Sequence, residues 1–277
     1  MIKYMNKIKK RGGQMKKLFF FDIDGTLIEC EKGIYEIPEN TKKALDKLKR
    51  NGNDVFLATG RCKGFILDEV MKYPFSGYVT CNGAYVEYNE NVIYKKIVPA
   101  EAIKKTHELC VQRNMAYYFE SNDKIYVLNK DNPRHIEFKN KWGMKDEIII
   151  DEYDINLVET YIGMIVVNSE DDIEIMLETL SPYFHIQRHQ VGLSFDLTLK
   201  GESKAKGIEK LVESIQLNMS STIAFGDGKN DIEMLKAVGL GIAMGNAHDE
   251  TKNVADYITD KVDKDGIVKA LKHFSFI

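Results

Sequence analysis

Two short acidic segments of the chain carry residue types suited to binding a metal ion and to transferring protons. The first is Asp22-Ile23-Asp24-Gly25-Thr26, and the second is Gly226-Asp227-Gly228-Lys229-Asn230-Asp231. Asp22 and Asp24 share a face if the chain stays extended, because alternate residues of a strand point to the same side. Neighbouring carboxylates repel each other unless a cation or a shared proton offsets their charge. Since magnesium prefers oxygen ligands, the two segments together predict a magnesium site.

A phosphate group bound beside that ion needs further hydrogen-bond donors. The Thr59 hydroxyl and the backbone amides of Gly25, Thr26 and Gly60 are candidates, because turns and helix starts present amides to anions. A lysine would add positive charge. Three lysines lie before or within the first turn of a predicted helix: Lys200, Lys204 and Lys206.

The elements that position these residues are short apolar runs, typical of strands that are buried on both faces. The runs span residues 18–22, 54–58, 78–81 and 222–225, and helical patterns follow at 41–50, 203–215 and 230–238. Alternation of strands and helices predicts an α/β fold with a parallel sheet, which binds ligands beyond the carboxyl ends of its strands. Asp22, Thr59 and Asn82 lie at such ends.

The middle of the chain has a different pattern. A hairpin turn is predicted at residues 89–91, and helix and strand candidates then alternate without the buried rhythm of the flanking regions. That rhythm resumes beyond Phe195. We therefore predict a core domain formed by residues 15–83 and 195–277, with an α/β domain inserted at residues 84–194.

Composition narrows the class of partner. Hydrophobic residues make up 44% of the 277 residues and charged residues 29%, as in an ordinary globular protein. A formal net charge of -3 disfavours a nucleic-acid partner and favours a small molecule. The four cysteines lack C-x-x-C spacing, which predicts free thiols. We expect a monomer or a weak homodimer.

The N-terminus and the hydropathy pattern bear on location. There is no run of roughly 18 or more apolar residues, so we expect no membrane association. The basic N-terminus lacks the apolar stretch of a signal peptide, which favours a cytoplasmic protein. Residues 1–14 are expected to form a disordered leader, and either Met1 or Met15 is the true start.

The chain resembles haloacid dehalogenase superfamily phosphatases of the Cof type, with an α/β cap of class IIB. Four motifs carry the resemblance, and the match covers nearly the whole chain after Met15. They are residues 21–27, residues 58–61, a lysine after Lys200-Gly201, and residues 226–231. The resemblance implies a doubly wound, Rossmann-like parallel-sheet core with an inserted α/β cap domain.

The resemblance also implies a two-step transfer of the phosphoryl group. Asp22 would attack phosphorus to form an aspartyl-phosphate, which water then hydrolyses. Asp24 would protonate the leaving oxygen and later take a proton from water. Asp22, the backbone carbonyl of Asp24, and Asp227 would ligate Mg²⁺, with Asp231 nearer the second shell of the ion.

The phosphate itself would be bound by Thr59, Gly60, Asn230 and one lysine. An ungapped comparison from Asp196 places the family's lysine at Lys204, which we favour. Lys206 remains the alternative, because Lys206-Gly207 resembles the lysine-glycine pair of the family.

Three functions are consistent with these motifs. The leading one is a Mg²⁺-dependent phosphatase that hydrolyses a small phosphorylated metabolite, such as a sugar phosphate. A phosphomutase of the same superfamily is an alternative. A non-catalytic sensor of a phosphorylated metabolite is the third, although every acid that turnover requires is present.

Overall fold

The computed structural model describes residues 16–142, 144–189 and 192–277, apart from the side chains of residues 134, 138 and 140–142. The predicted leader at residues 1–14 lies outside the described residues. The chain forms two compact units. The core unit comprises the described residues up to Gly60, Leu67–Tyr94 and Ser203–Ile277; the insert unit comprises Arg61–Ile66 and Lys95–Glu202.

The described residues form fourteen strands and nine α-helices, numbered along the chain. The strands are β1 (Leu18–Phe21), β2 (Asp54–Ala58), β3 (Gly77–Thr80), β4 (Tyr85–Tyr88), β5 (Asn91–Lys95), β6 (Ala116–Glu120), β7 (Ile125–Leu128), β8 (Ile149–Ile150), β9 (Ile162–Val166), β10 (Phe184–Arg188), β11 (Ser194–Leu199), β12 (Thr222–Gly226), β13 (Leu240–Ala243) and β14 (Tyr257–Ile258). The helices are α1 (Glu39–Arg50), α2 (Asp68–Met71), α3 (Ala100–Arg113), α4 (Pro133–Trp142), α5 (Asp171–Leu180), α6 (Lys204–Ser214), α7 (Ile232–Ala237), α8 (Asp249–Lys252) and α9 (Gly266–His273).

The core unit is built on one sheet with the strand order β14-β13-β12-β1-β2-β3-β4-β5. The strands from β14 to β3 pair in parallel, and β4 pairs antiparallel to β3. The central strand β1 is fully buried on both faces, as its four apolar residues predict. The predicted α/β fold with a mainly parallel core sheet is therefore confirmed.

Helices cover both faces of the core sheet. On one face α6 and α7 pack against the sheet through Ile208, Leu211, Met234 and other apolar residues. On the other face α1 packs against β2 and α9. The buried residues of α1 recur at the three- and four-residue spacing of a helix face.

Helix α6 approaches the end of β3 closely because two glycines meet there. A Cβ atom at Gly207 would lie 2.7 Å from Val79 Cγ1 and 2.8 Å from the Cα atom of Gly83. Gly83 has a φ of +92°, and a Cβ atom on it would overlap the carbonyl oxygen of Ser203. The first turn of α6, which begins at Lys204, is therefore fixed by backbone contact.

The domain boundaries differ from the predicted ones. Residues 85–88, predicted to lie in the inserted domain, instead pair with β3 in the core sheet. Residues 195–199, predicted to lie in the core, pair with β9 and β10 in the insert unit. The change of pattern near residue 84 thus marks a switch from parallel to antiparallel pairing within the core sheet. It does not mark the start of the inserted domain.

The insert unit has its own sheet, with the strand order β10-β11-β9-β6-β7-β8. Its pairs are antiparallel except for β7 and β8. Alternate residues such as Tyr117, Phe119, Ile165 and Leu197 form an apolar core with residues of α3 and α5. This unit is the separate mixed α/β domain that the sequence pattern predicts.

Within the described residues, no helix combines the length and the apolar character that crossing a membrane requires.

The contact between Gly83 and α6 generates a stability prediction. Gly83→Ala is expected to destabilise the protein more than Gly52→Ala, although both residues have similar φ values, +92° and +86°. At Gly52 no atom lies near the new Cβ, so only the positive φ costs free energy, about 1–2 kcal/mol. At Gly83 the overlap with Ser203 adds about 1–3 kcal/mol. Urea unfolding of both variants measures the difference, and equal losses would contradict the close packing.

Candidate active site

The first acidic loop begins where β1 ends. The Asp22 amide donates to the carbonyl of Phe225 at 3.0 Å, which keeps the chain in the sheet up to this residue. The chain then turns back, and the Gly25 amide donates to the carbonyl of Ile28 at 2.8 Å. Gly25 has a φ of +81°, and a Cβ atom on it would overlap the carboxylate of Asp227. The glycine therefore allows the first loop to contact the second.

The second acidic loop follows β12 and is closed by Asp231. One carboxylate oxygen of Asp231, Oδ2, accepts hydrogen bonds from the amides of Asp227 and Gly228, each at 2.9 Å. Asp227 in turn accepts a hydrogen bond from the Thr26 hydroxyl at 2.8 Å. Helix α7 begins only at Ile232 because a short 3-10 turn precedes it, so the predicted helix at 230–238 starts later than expected.

Lys204 connects the two loops. Its ammonium donates to Asp22 Oδ1 at 2.6 Å and to Asp231 Oδ1 at 2.7 Å, and its side chain is fully buried. Lys206 lies two residues further along α6. Its side chain is 38% exposed, and its Nζ lies 3.6 Å from Glu209 Oε2. The structure thus brings Lys204, and not Lys206, to the acidic cluster.

Three carboxylates converge at this point. Ligand atoms of Asp22, Asp227 and Asp231 all lie within 4.8 Å of one another. Burial raises the pKa of Asp22 to about 7, with Asp231 and Asp24 adding to the rise and Lys204 opposing it. Burial likewise raises the pKa of Asp227 to about 9, reinforced by Asp22 and Asp231. Burial alone would lower the pKa of Lys204, but the two ion pairs outweigh it and raise that pKa.

This donor set fits a divalent cation. If all three carboxylates are ionised, the single ammonium leaves two negative charges unbalanced in a buried space, and a divalent cation would offset them. All the ligand atoms are hard oxygens, which magnesium prefers. Asp22 and Asp227 are the carboxylates available to the ion, because both oxygens of Asp231 already accept hydrogen bonds from Lys204 and backbone amides.

The predicted phosphate-binding residues form a second group in the core unit. Thr59 is buried at the end of β2, and its carbonyl accepts a hydrogen bond from the Asn82 amide at 3.1 Å. Asn230 donates through Nδ2 to Asn82 Oδ1 at 3.2 Å. Gly60 packs so closely that a Cβ atom there would lie 3.1 Å from Asn82 Oδ1. Thr59, Gly60 and Asn230 are thus brought together by Asn82.

Asn82 occupies an unusual backbone position. Cys81, Asn82 and Gly83 all have positive φ values, of 53°, 49° and 92°. A positive φ is uncommon for a residue other than glycine, although asparagine tolerates it best, and such strain concentrates at functional sites. The sequence signal was the Asn82-Gly83 pair at a strand end, but the spacing alone assigned no role to Asn82.

Asp24 lies apart from the three converging carboxylates. It is partly exposed, its backbone bridges to Ile28, and its charge is near enough to raise the pKa of Asp22. This placement suits a group that exchanges protons. Sequence reasoning also gave no role to Asn246, whose Nδ2 donates to the Gly25 carbonyl at 2.7 Å.

Comparisons with known proteins find relatives over nearly the whole length of this chain. A model of the haloacid dehalogenase-like hydrolase family matches residues 19–271. The chain is 32% identical over 265 residues to the putative phosphatase YkrA of Bacillus subtilis, covering 94% of this chain and 98% of the relative. It is 28% identical over 260 residues to the 5-amino-6-(5-phospho-D-ribitylamino)uracil phosphatase YcsE of Bacillus subtilis, covering 93% and 95%.

Two solved structures are similar over nearly the full length. The HAD subclass IIB sugar phosphatase BT4131 has a TM-score of 0.80 and 32% identity, with 95% of this chain and 100% of that chain covered. A hypothetical protein of Geobacillus kaustophilus HTA426 has a TM-score of 0.85, 32% identity and the same coverage.

The crowded carboxylates predict how the stability of the metal-free protein varies with pH. The pKa values of Asp22 and Asp227 rise from 3.8 to about 7 and about 9 on folding. The folded state therefore binds more protons than the unfolded state above about pH 4, and its stability is lost as pH rises through those values. Urea unfolding in EDTA at pH 5, 7 and 9 measures this decline.

Asp227→Asn serves as the control for that pH series. The variant removes one crowded carboxylate, so its stability is expected to fall less steeply with pH than that of the wild type. Mg²⁺ should stabilise the wild type increasingly as pH rises, because the ion binds ionised carboxylates. Parallel pH profiles for wild type and variant would contradict the raised pKa of Asp227.

Proposed function

We propose that this chain, a phosphatase that belongs to the haloacid dehalogenase-like hydrolase family, hydrolyses the phosphate ester of a small metabolite through an aspartyl-phosphate on Asp22. The observation that carries the proposal is the buried bridge from Lys204 to Asp22 and Asp231. It fixes one carboxylate at the end of β1 beside a site suited to a divalent cation.

The first step forms a bond between the Asp22 carboxylate and phosphorus. The bond between phosphorus and the ester oxygen breaks, and Asp24 gives its proton to that oxygen as the alcohol leaves. Lys204 supports this step because its bond to Asp22 Oδ1, at 2.6 Å, holds the carboxylate in one orientation. A fixed nucleophile has less orientational freedom to lose as it reacts.

The second step returns the enzyme to its starting state. Asp24 removes a proton from water, the water oxygen attacks phosphorus, and the bond to Asp22 breaks to release inorganic phosphate. The partial exposure of Asp24 supports this double role, since the group must meet both the leaving oxygen and water. Asp22, by contrast, is 7% exposed, which protects the acyl phosphate from uncontrolled hydrolysis.

Mg²⁺ would be held by Asp22, Asp227 and the backbone carbonyl of Asp24. When bound, the ion supplies positive charge that offsets the carboxylates and the incoming phosphate. Asp231 would act indirectly, because it orients the loop that carries Asp227. The Thr59 hydroxyl, the Gly60 amide and the Asn230 side chain would donate to phosphate oxygens, with Asn82 holding Asn230 in place.

The proposed substrate class is a sugar phosphate or a similarly small phosphorylated metabolite. Relatives named for a sugar phosphatase activity and for a ribitylamino-uracil phosphatase activity cover nearly all of this chain. Both names describe phosphate esters that carry several hydroxyl groups. A phosphomutase would instead require a bisphosphate activator, so phosphate release without such an activator separates the two reactions.

The two candidate lysines provide a matched test. Lys204→Ala is expected to lower the rate of phosphate release from p-nitrophenyl phosphate with Mg²⁺ by about 10²–10³-fold, because it removes a buried charge beside the nucleophile. Lys206→Ala should leave the rate within about twofold, since that side chain is partly exposed and forms an ion pair with Glu209 of the same helix.

Circular dichroism should first establish that both lysine variants are folded, because removal of one partner of a buried ion pair is destabilising. Loss of activity in Lys206→Ala with retention in Lys204→Ala would overturn the lysine assignment. A wild-type protein that binds one metabolite tightly but releases no phosphate from a broad panel of esters would instead be a sensor.

A further inference from the structure

One buried side-chain oxygen close to the acidic loops has no hydrogen-bond partner among the described residues. It is Oδ1 of Asn246. The other end of the same amide is satisfied, because Nδ2 donates to the Gly25 carbonyl at 2.7 Å. This bond also fixes which end of the amide is which, since only the nitrogen can donate to a carbonyl. A buried acceptor without a donor leaves its desolvation cost unrecovered, so such atoms are rare in folded proteins.

The position of Asn246 relates it to both acidic loops. Gly25, whose carbonyl it holds, lies against the carboxylate of Asp227 so closely that no Cβ atom fits between them. Two residues further along the chain, the amide of His248 donates to the backbone carbonyl of Asp227 at 3.2 Å. Asn246 therefore lies on a segment that is hydrogen-bonded to the first loop at Gly25 and to the second at Asp227.

The chemistry of the unpaired atom suits a hydrated cation. Magnesium keeps several of its water molecules when carboxylates bind it. Those water molecules donate hydrogen bonds strongly because the ion polarises them, and they need oxygen acceptors around the site. The Asp231 oxygens already have donors, whereas the Asn246 oxygen does not.

We propose that Asn246 is a further positioning residue of the metal centre, whose Oδ1 accepts a hydrogen bond from a water molecule bound to Mg²⁺ while its Nδ2 holds the Gly25 carbonyl. The proposal rests on the proposed function only for the identity of the ion. It assigns one amide to two tasks: holding the first loop through the nitrogen and orienting the shell of the ion through the oxygen.

Two substitutions separate these tasks. Asn246→Leu removes both the donor and the acceptor at similar volume. Asn246→Asp keeps an oxygen acceptor but loses the donor to the Gly25 carbonyl. If the oxygen orients a bound water, Asn246→Leu should weaken Mg²⁺ binding by about 10- to 100-fold, as for other residues that support metal ligands. Asn246→Asp should bind Mg²⁺ at least as tightly as the wild type.

Asn53 provides a matched control within the core unit. Its Nδ2 donates to the Leu48 carbonyl at 3.2 Å, and its Oδ1 accepts from the Lys17 amide at 3.1 Å. It precedes β2 and so lies at the amino ends of the parallel strands, whereas the acidic loops lie at their carboxyl ends. Asn53→Leu should lower the unfolding temperature but leave Mg²⁺ affinity within about twofold of the wild type, because no part of the metal centre changes.

The measurement is isothermal titration calorimetry of Mg²⁺ alone into the wild type and the three variants, with circular dichroism as a check of folding. Equal weakening in Asn246→Leu and Asn246→Asp would show that only the Gly25 contact matters and would overturn the proposal. Unchanged affinity in Asn246→Leu would overturn it as well. Because no substrate is present, these outcomes are independent of the phosphatase assay, and a wild type that binds no Mg²⁺ would instead refute the proposed metal.

Discussion

The site depends on a buried group of three carboxylates, two of which, Asp22 and Asp231, bind the ammonium of Lys204. Asp22, Asp227 and Asp231 repel one another, and Lys204 offsets only part of their charge. Burying such a group is costly unless every charge is paired and hydrogen-bonded. The unbalanced negative charge would attract the divalent cation that we propose for this site. In the metal-free protein, burial and the repulsion between these carboxylates raise the pKa values of Asp22 and Asp227.

The fold meets this cost by fixing the backbone around the charges. The parallel strands β1 and β12 end side by side, which brings the two acidic loops together. Glycines allow the loops and helix α6 to approach closely: Gly25 lies against Asp227, and Gly83 against Ser203. Asp231 closes its own loop with two backbone hydrogen bonds while it shares Lys204 with Asp22. The position of each charge is therefore set by backbone contacts and hydrogen bonds within the core unit.

Much of this arrangement was predictable from the sequence because it depends on local patterns. Apolar runs identify buried strands, and acids at their ends identify the edge at which ligands bind. Which of Lys204 and Lys206 faces the acidic loops depends on how α6 is oriented about its own axis. That orientation is set by the contact between Gly83 and Gly207 rather than by spacing in the sequence. The domain boundaries were misplaced because β4 changes direction without leaving the sheet. Asn82 and Asn246 form hydrogen bonds to residues 148 and 221 positions away, so no local pattern could show which atoms they contact.

The central claim is that Asp22 carries the phosphoryl group between the two steps, and one measurement tests it directly. In Asp24→Asn, p-nitrophenyl phosphate should still phosphorylate the enzyme, because its leaving group needs no acid, whereas hydrolysis of the intermediate should be slow. Rapid acid quenching followed by peptide mass spectrometry is predicted to find one phosphoryl group, on Asp22. Release of p-nitrophenol without phosphorylated protein, or a phosphoryl group on any other residue, would contradict the account.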